Sequence, residues 1–296
     1  MQRSYKHILA LASVFLGACV YFSLSFTTYT HLTAQTSVAP LLTRTSVSPG
    51  KAVKPGTKLR ILCVGDSITA GLLSGENGSN GNGYRLQLRD DLSEDEVVFA
   101  GTVASGNMTD GYYAAWNGRR IGAITDMVGP ALTHRPNIVL IHAGTNDMSV
   151  KIPGDHSADG AAERLGHLID KVMAACPDAV ILVAVLIPRC GDYTAASFPA
   201  FQSLIPKVVE QRRSGGGHVL AVDMSTFPES ELHDCLHPTS EGYRELGHSW
   251  YDFVTQIPTS WINDPVGPDP ERNETNTPGN GNNGGKAPAA RGGTLL

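Results

Sequence analysis

The 296-residue sequence has no basic excess: 23 Lys and Arg stand against 28 Asp and Glu, a formal net charge of -5. That excludes the positive footprint by which nucleic acids and anionic membrane surfaces are held, and a neutral or carbohydrate-like partner fits better. The chain also lacks an HExxH pattern and any cysteine cluster, so nothing argues for zinc. No internal repeat is present between the two ends, and a hydrophobic content of 41% is ordinary for one large core with tails. Cysteine is scarce. Of five, Cys19 lies in an N-terminal apolar segment, which leaves Cys63, Cys176, Cys190 and Cys235; in an oxidising compartment these four allow three full pairings.

What is present divides the chain into four stretches. Arg3 and Lys6 precede an uncharged apolar run from Ile8 to about Phe26, and Ser23-Leu24-Ser25 offers a small-x-small cleavage site. A cleaved signal has an apolar region of roughly 7–15 residues and a membrane span needs about 20, so residues 1–26 read as a signal peptide or a signal anchor. Either way the remainder meets the exterior, secreted or held by a single N-terminal membrane anchor. Asn77, Asn107 and Asn273 each begin an Asn-x-Ser/Thr sequon and are candidate N-glycosylation sites. Residues 27–57, rich in Ser, Thr and Pro, read as a flexible stalk, and 263–296 as a disordered low-complexity tail.

The body, residues 58–262, alternates short β-rich runs with longer helical patterns. The runs are "LRILCVG" (59–65), "EVVFAGTV" (96–103), "NIVLIHAG" (137–144), "AVILVAVLIP" (179–188) and "HVLAVDM" (218–224). Several are apolar at consecutive positions, as a parallel strand buried on both faces requires. Stretches 161–176, 199–214 and 239–257 read as helices, the second bent or begun at Pro206. The expected architecture is a three-layer α/β/α domain around a mostly parallel five-stranded sheet. Ligands in such sheets bind beyond the carboxyl ends of the strands.

Three strand-end loops carry chemistry. After the first strand comes Gly65-Asp66-Ser67; Ser67 there is either a helix cap or a nucleophile served by the free N–H groups of the helix start. After the third comes "GTND", where Asn146 either forms the turn or presents its amide to a substrate oxygen. After the fifth comes "DCLHPTSEGY", in which Asp234 can orient the His237 imidazole through Nδ1 and leave Nε2 free as a base. Asp66 and Asp147 read as turn organisers, and His142 as a satisfied core histidine. Tyr112 and Trp116 suit either sugar stacking or packing, and the Gly-rich stretch 74–83 reads as a mobile loop beside the active site rather than a phosphate-binding one. Cys190 and Cys235 both fall in strand-end loops, and a bridge between them would pin the loop holding Asp234 and His237.

"GDSITAG", "GTND" and "DCLH" together resemble the blocks of the SGNH, or GDSL-type, hydrolase superfamily, across essentially all of residues 58–262. The resemblance implies a flavodoxin-like fold, with Ser67 as nucleophile, His237 and Asp234 completing the triad, and Asn146 as an oxyanion donor. The family's second block, a lone glycine whose N–H completes the oxyanion hole, is placed at Gly118 in "WNGRRIGAI", with Gly101 and Gly122 as alternatives. The absence of a Gly-x-Ser-x-Gly elbow accords with this superfamily. "GDSITAG", "GYR" (83–85), "PNIVLIHAGTNDM", "VDM" and "LHPTSEGY" are similar to carbohydrate esterase family 3, which includes acetylxylan esterases. The implied activity is hydrolysis of a small acyl ester, most simply acetyl, on a carbohydrate, needing neither metal nor organic cofactor. A lipase or thioesterase on longer chains, and a catalytically silent sugar-binding module, are the rival readings.

Overall fold

In the computed structural model, residues 41–74, 80–191 and 194–272 are described. In chain order the strands are β1 (Leu41–Leu42), β2 (Leu59–Gly65), β3 (Val97–Ala100), β4 (Val103–Ala104), β5 (Tyr112–Ala115), β6 (Ile138–His142), β7 (Val180–Val185) and β8 (Val219–Asp223). The α-helices are α1 (Ser67–Ala70), α2 (Arg85–Asp91), α3 (Ile121–Met127), α4 (Gly129–Leu132), α5 (Ala158–Ala175), α6 (Phe198–Ser214) and α7 (Ser240–Val254).

Five parallel strands form the spine in the order β3-β2-β6-β7-β8. This is a doubly wound 2-1-3-4-5 arrangement, in line with the flavodoxin-like fold that the family resemblance implies. The sheet is wider than five strands. β1 adds to the outer edge of β8, and β5 pairs with the end of β2 at Val64 and Gly65, beyond the four residues covered by β3. The run 96–103, expected as one strand, breaks at Gly101, which has φ +144° and where a Cβ would fall 2.3 Å from the Tyr113 nitrogen. After the break, β4 turns to pair antiparallel with β5.

β2, β6 and β7 are buried at every residue, which is why their sequences are apolar without alternation. Leu62, Val64, Val139, Ile141, Ile181 and Val183 share one core with residues of α3, α5 and α6. The alternate residues Ile61, Cys63, Leu140 and Leu182 are equally buried and serve the other face. There α2 and α7 lie so close that a Cβ on Gly247 would stand 2.8 Å from the Tyr84 carbonyl oxygen. α6 neither begins at Pro206 nor stops there: it starts at Phe198, with a proline in its first turn, and carries Pro206 inside.

The ordered unit extends past 58–262 at both ends, so part of the expected stalk and tail belongs to it. Arg44 pairs with Glu245 and, at 2.6 Å, with Asp252, while the Val47 N–H donates to Asp252 at 2.8 Å. Beyond residue 262, Asp269 meets Lys58 and Arg60, each at 2.8 Å. The Arg60 guanidinium, 2% exposed, also donates to the carbonyls of His134, Val266 and Gly267. These anchors are isolated ion pairs and carbonyl contacts with no apolar periodicity, so composition does not register them. Among the described residues no helix is long and apolar enough to cross a membrane, and the apolar segment 8–26 lies outside them.

Candidate active site

The turn after β2 is built around three residues with separate tasks. Gly65 has no room for a side chain: a Cβ would lie 2.2 Å from the His142 carbonyl oxygen and 2.4 Å from Thr69 Oγ1. Asp66 caps α1, its Oδ1 accepting the Ile68 N–H at 3.1 Å. Ser67 is therefore relieved of capping. It opens the helix, 4% exposed, with an N–H at the first helical position that has no intrahelical acceptor. Arg85, fully buried, donates to the Thr69 carbonyl at 2.5 Å and to Ser105 Oγ at 3.0 Å, fixing the far end of α1.

From the loop after β8, His237 reaches this serine. Ser67 Oγ and His237 Nε2 are 2.9 Å apart, and on the far side of the ring Nδ1 meets Asp234 Oδ2 at 2.9 Å. Asp234 Oδ1 also accepts the backbone N–H groups of His237, at 2.7 Å, and Leu236, at 3.1 Å. Burial pushes the Asp234 carboxyl upward, but the hydrogen bonds from His237 outweigh it and hold the group below its ordinary value. Between the two sits Cys235, with φ +65°, joined to Cys190 by a disulfide. The Cys190 N–H donates to the Cys235 carbonyl at 3.0 Å, so the loop after β7 braces the loop after β8.

The third loop adds Asn146, 5% exposed, whose Nδ2 donates to the Arg119 carbonyl at 2.9 Å and retains a second N–H. Gly118 precedes Arg119 in a turn that leaves the end of β5, and the Trp116 N–H donates to the Gly65 carbonyl at 3.2 Å. Gly118 has φ +71° and open space where a Cβ would be, so its requirement for glycine is conformational. Gly101 is instead packed on Tyr113, and Gly122 lies inside α3. Asp147, fully buried, accepts the Ile121 N–H at 2.9 Å and Arg164 Nε at 2.7 Å; it thus steadies the Gly118 turn from below.

Burial raises the Asp66 carboxyl to about 7. His142 is buried but not satisfied as expected: neither ring nitrogen has a hydrogen-bond partner among the described residues, and burial lowers it to about 4. Tyr112 is covered by the Arg272 guanidinium, 3.8 Å from its ring centre, and Trp116 packs partly against the core. Asn107 is exposed, whereas Asn77 and Asn273 lie outside the described residues. The sequence reading assigned no role to Arg119, Arg164 or Asp155. The "NGRR" run beside the chosen glycine points to Arg119, and no sequence signal marks Arg164 or Asp155.

Residues 63–245, more than half of the chain, match the GDSL-like Lipase/Acylhydrolase family. The chain belongs to that family, and the protein is a carboxylic-ester hydrolase. Among solved structures, a Clostridium thermocellum family 3 carbohydrate esterase superposes with a TM-score of 0.55 at 27% identity, over 67% of this chain and 98% of that one. A family 3 carbohydrate esterase from Talaromyces cellulolyticus (21% identity, TM-score 0.52, 67% and 97% covered) shares the fold. So does the acetyl xylan esterase AlAXEase (15%, 0.51, 66% and 100%). No curated protein sequence matches the chain.

Proposed function

We propose that this hydrolase removes small acyl groups, acetyl first among them, from a carbohydrate through a Ser67 acyl-enzyme. The observation that carries the reading is the continuous relay Ser67 Oγ, His237 Nε2, His237 Nδ1, Asp234 Oδ2, with 2.9 Å at each hydrogen bond. His237 takes the Ser67 proton as Oγ attacks the ester carbonyl carbon, and Asp234 stabilises the imidazolium that forms. The carbonyl oxygen becomes negative and accepts from the N–H groups of Ser67 and Gly118 and from the second Asn146 amide hydrogen. Collapse expels the alcohol, which leaves with the proton from His237. A water then gives its proton to His237, attacks the acyl-enzyme and releases the acid and free Ser67.

Support for a short acyl group comes from the surroundings. The cleft beside Gly118 holds about 380 Å³ and its walls are rich in guanidinium groups, which suits a polar alcohol portion better than a long alkyl chain. A p-nitrophenyl ester series from acetyl to octanoyl, run beside an acetylated oligosaccharide, tests the assignment. Acetyl turnover should exceed octanoyl by at least about tenfold and vanish in Ser67→Ala. A preference for the long ester, or undiminished turnover without the Ser67 hydroxyl, overturns it. We further propose that the protein works outside the cytoplasm, because the Cys190–Cys235 disulfide requires an oxidising compartment to persist.

A further inference from the structure

The cleft at the Gly118 turn contains more positive charge than the fold neutralises. Its walls include Gly118, Arg119, Arg120, Ala123, Ile152 and Arg164. Arg120 donates to the carbonyls of Pro153, at 3.2 Å, and Asp155, and stands 3.6 Å from the Asp147 carboxylate. Arg164 pairs with Asp147 at 2.7 Å and with Asp155 at 3.2 Å. Two carboxylates thus balance two guanidinium groups.

The third, on Arg119, is unbalanced. Its backbone is fully used, the N–H donating to the Trp116 carbonyl and the carbonyl accepting from Asn146. Its side chain is exposed and makes no hydrogen bond or ion pair with any described residue. Turn and amide together hold the residue in place, while its planar five-donor fork is left open to the cleft. In a protein of net charge -5, an unpaired cation one residue from the proposed oxyanion donor, on a backbone held at both its N–H and its carbonyl, is suited to recognising an anion.

We propose that Arg119 and this cleft form a subsite for a carboxylate, namely a uronic acid residue within about one sugar unit of the acylated position. The proposal rests on the esterase reading above for its placement beside the scissile bond. The guanidinium fork matches a carboxylate in a bidentate manner, which adds geometric selectivity to the charge attraction. Ala123 and Ile152 supply an apolar flank for the face of a sugar ring.

Two measurements on the full chain separate this proposal from the reading beneath it. In the first, the Ser67→Ala protein is titrated with a glucuronic-acid-bearing xylo-oligosaccharide and with the same oligosaccharide methyl-esterified at that carboxyl. The acid should bind about tenfold more tightly, and the difference should disappear in Ser67→Ala/Arg119→Gln and be partly kept in Ser67→Ala/Arg119→Lys. In the second, the ratio of kcat/KM for the acetylated acid over its acetylated methyl ester should fall from about ten to about one in Arg119→Gln, through KM. Equal binding of acid and methyl ester, or a preference that survives Arg119→Gln, overturns the subsite. If Ser67 proves unnecessary for turnover while the binding difference stands, the esterase mechanism fails and the carboxylate site does not.

Discussion

Asp234 holds His237 at two points, through its ring Nδ1 at 2.9 Å and through its backbone N–H at 2.7 Å. One carboxylate therefore fixes both the tautomer of the imidazole and the bend of the chain that delivers it. In Asp234→Asn the backbone contact can persist, but the amide donates toward Nδ1 and turns the ring's proton to Nε2, away from its role as base. The Asp234 side chain is 43% exposed, so water replaces part of its effect. The expected loss in kcat on p-nitrophenyl acetate is about 10- to 1,000-fold, below the ~10,000-fold of a buried triad aspartate, with KM little changed. Full activity in Asp234→Asn would remove it from the relay.

Asn146→Ala deletes the proposed side-chain donor to the oxyanion and leaves the Ser67 and His237 side chains unaltered. The expectation is a fall of about 100- to 1,000-fold in kcat. Absence of a pre-steady-state burst would place the rate limit in acylation, and a burst would place it in deacylation. Thermal unfolding of the same variant isolates the structural share, because only the bond to the Arg119 carbonyl is lost, worth about 1 kcal/mol. A large drop in Tm with unchanged kcat would make Asn146 a scaffold residue.

Asp66 supplies a pH-dependent contribution to stability whose sign can be stated. Its folded value, about 7, lies above the ordinary 3.8, so the native state favours the protonated form. That contribution is complete below about pH 4 and is lost as the pH rises to about 7, for an upper bound of about 4 kcal/mol. Asp66→Asn keeps an acceptor for the Ile68 N–H and cannot ionise. The stability difference between Asp66→Asn and wild type, read by denaturant titration, should shift in favour of the variant between pH 4 and pH 8. A difference constant across that range refutes the buried neutral carboxyl.

Reducing the Cys190–Cys235 bridge frees a loop that contains two of the three relay residues. The bridge closes a sequence separation of 45, for which chain entropy alone gives about 4 kcal/mol. Under dithiothreitol, or in Cys190→Ala/Cys235→Ala, the protein should unfold at lower temperature. Below that temperature kcat should fall more than KM rises, since His237 is then positioned by Asp234 without the brace. Activity indifferent to reductant, with loss of the bridge verified by mass spectrometry, would make the disulfide a stabiliser only.

Much of this site was legible in the sequence because its residues are tied to strand ends. "GDS" and "GTND" follow apolar runs buried on both faces, and topology brings those ends together; "DCLH" lies further along the loop after β8, past a short 3-10 turn at Glu229–Glu231, and is braced by Cys190. What was not legible depends on contacts between distant segments. The capping role falls to Asp66 rather than Ser67 because of a backbone angle, not a composition bias. The break at Gly101 answers to the Tyr113 backbone in a neighbouring strand. His142 looks like any strand histidine until the packing leaves its ring without a partner among the described residues. Arg119 is told from Arg120 and Arg164 only by the fold, which pairs those two with Asp147 and leaves Arg119 exposed with no carboxylate partner among the described residues.

The tail that clasps Arg60 also says how much polypeptide is needed to make this enzyme. The family match ends at residue 245, and the apolar patterning stops near 262. A fragment trimmed at either point would keep every residue of the relay yet strip a deeply sunk guanidinium of the Val266 and Gly267 carbonyls and its one carboxylate, Asp269. Abandoning such a cation costs about 3 kcal/mol or more, a large share of a typical domain's net stability. The smallest durable version of the catalyst thus extends past the last α-helix to a polar latch on Arg60, near the start of β2 and outside the segment that carries the chemistry.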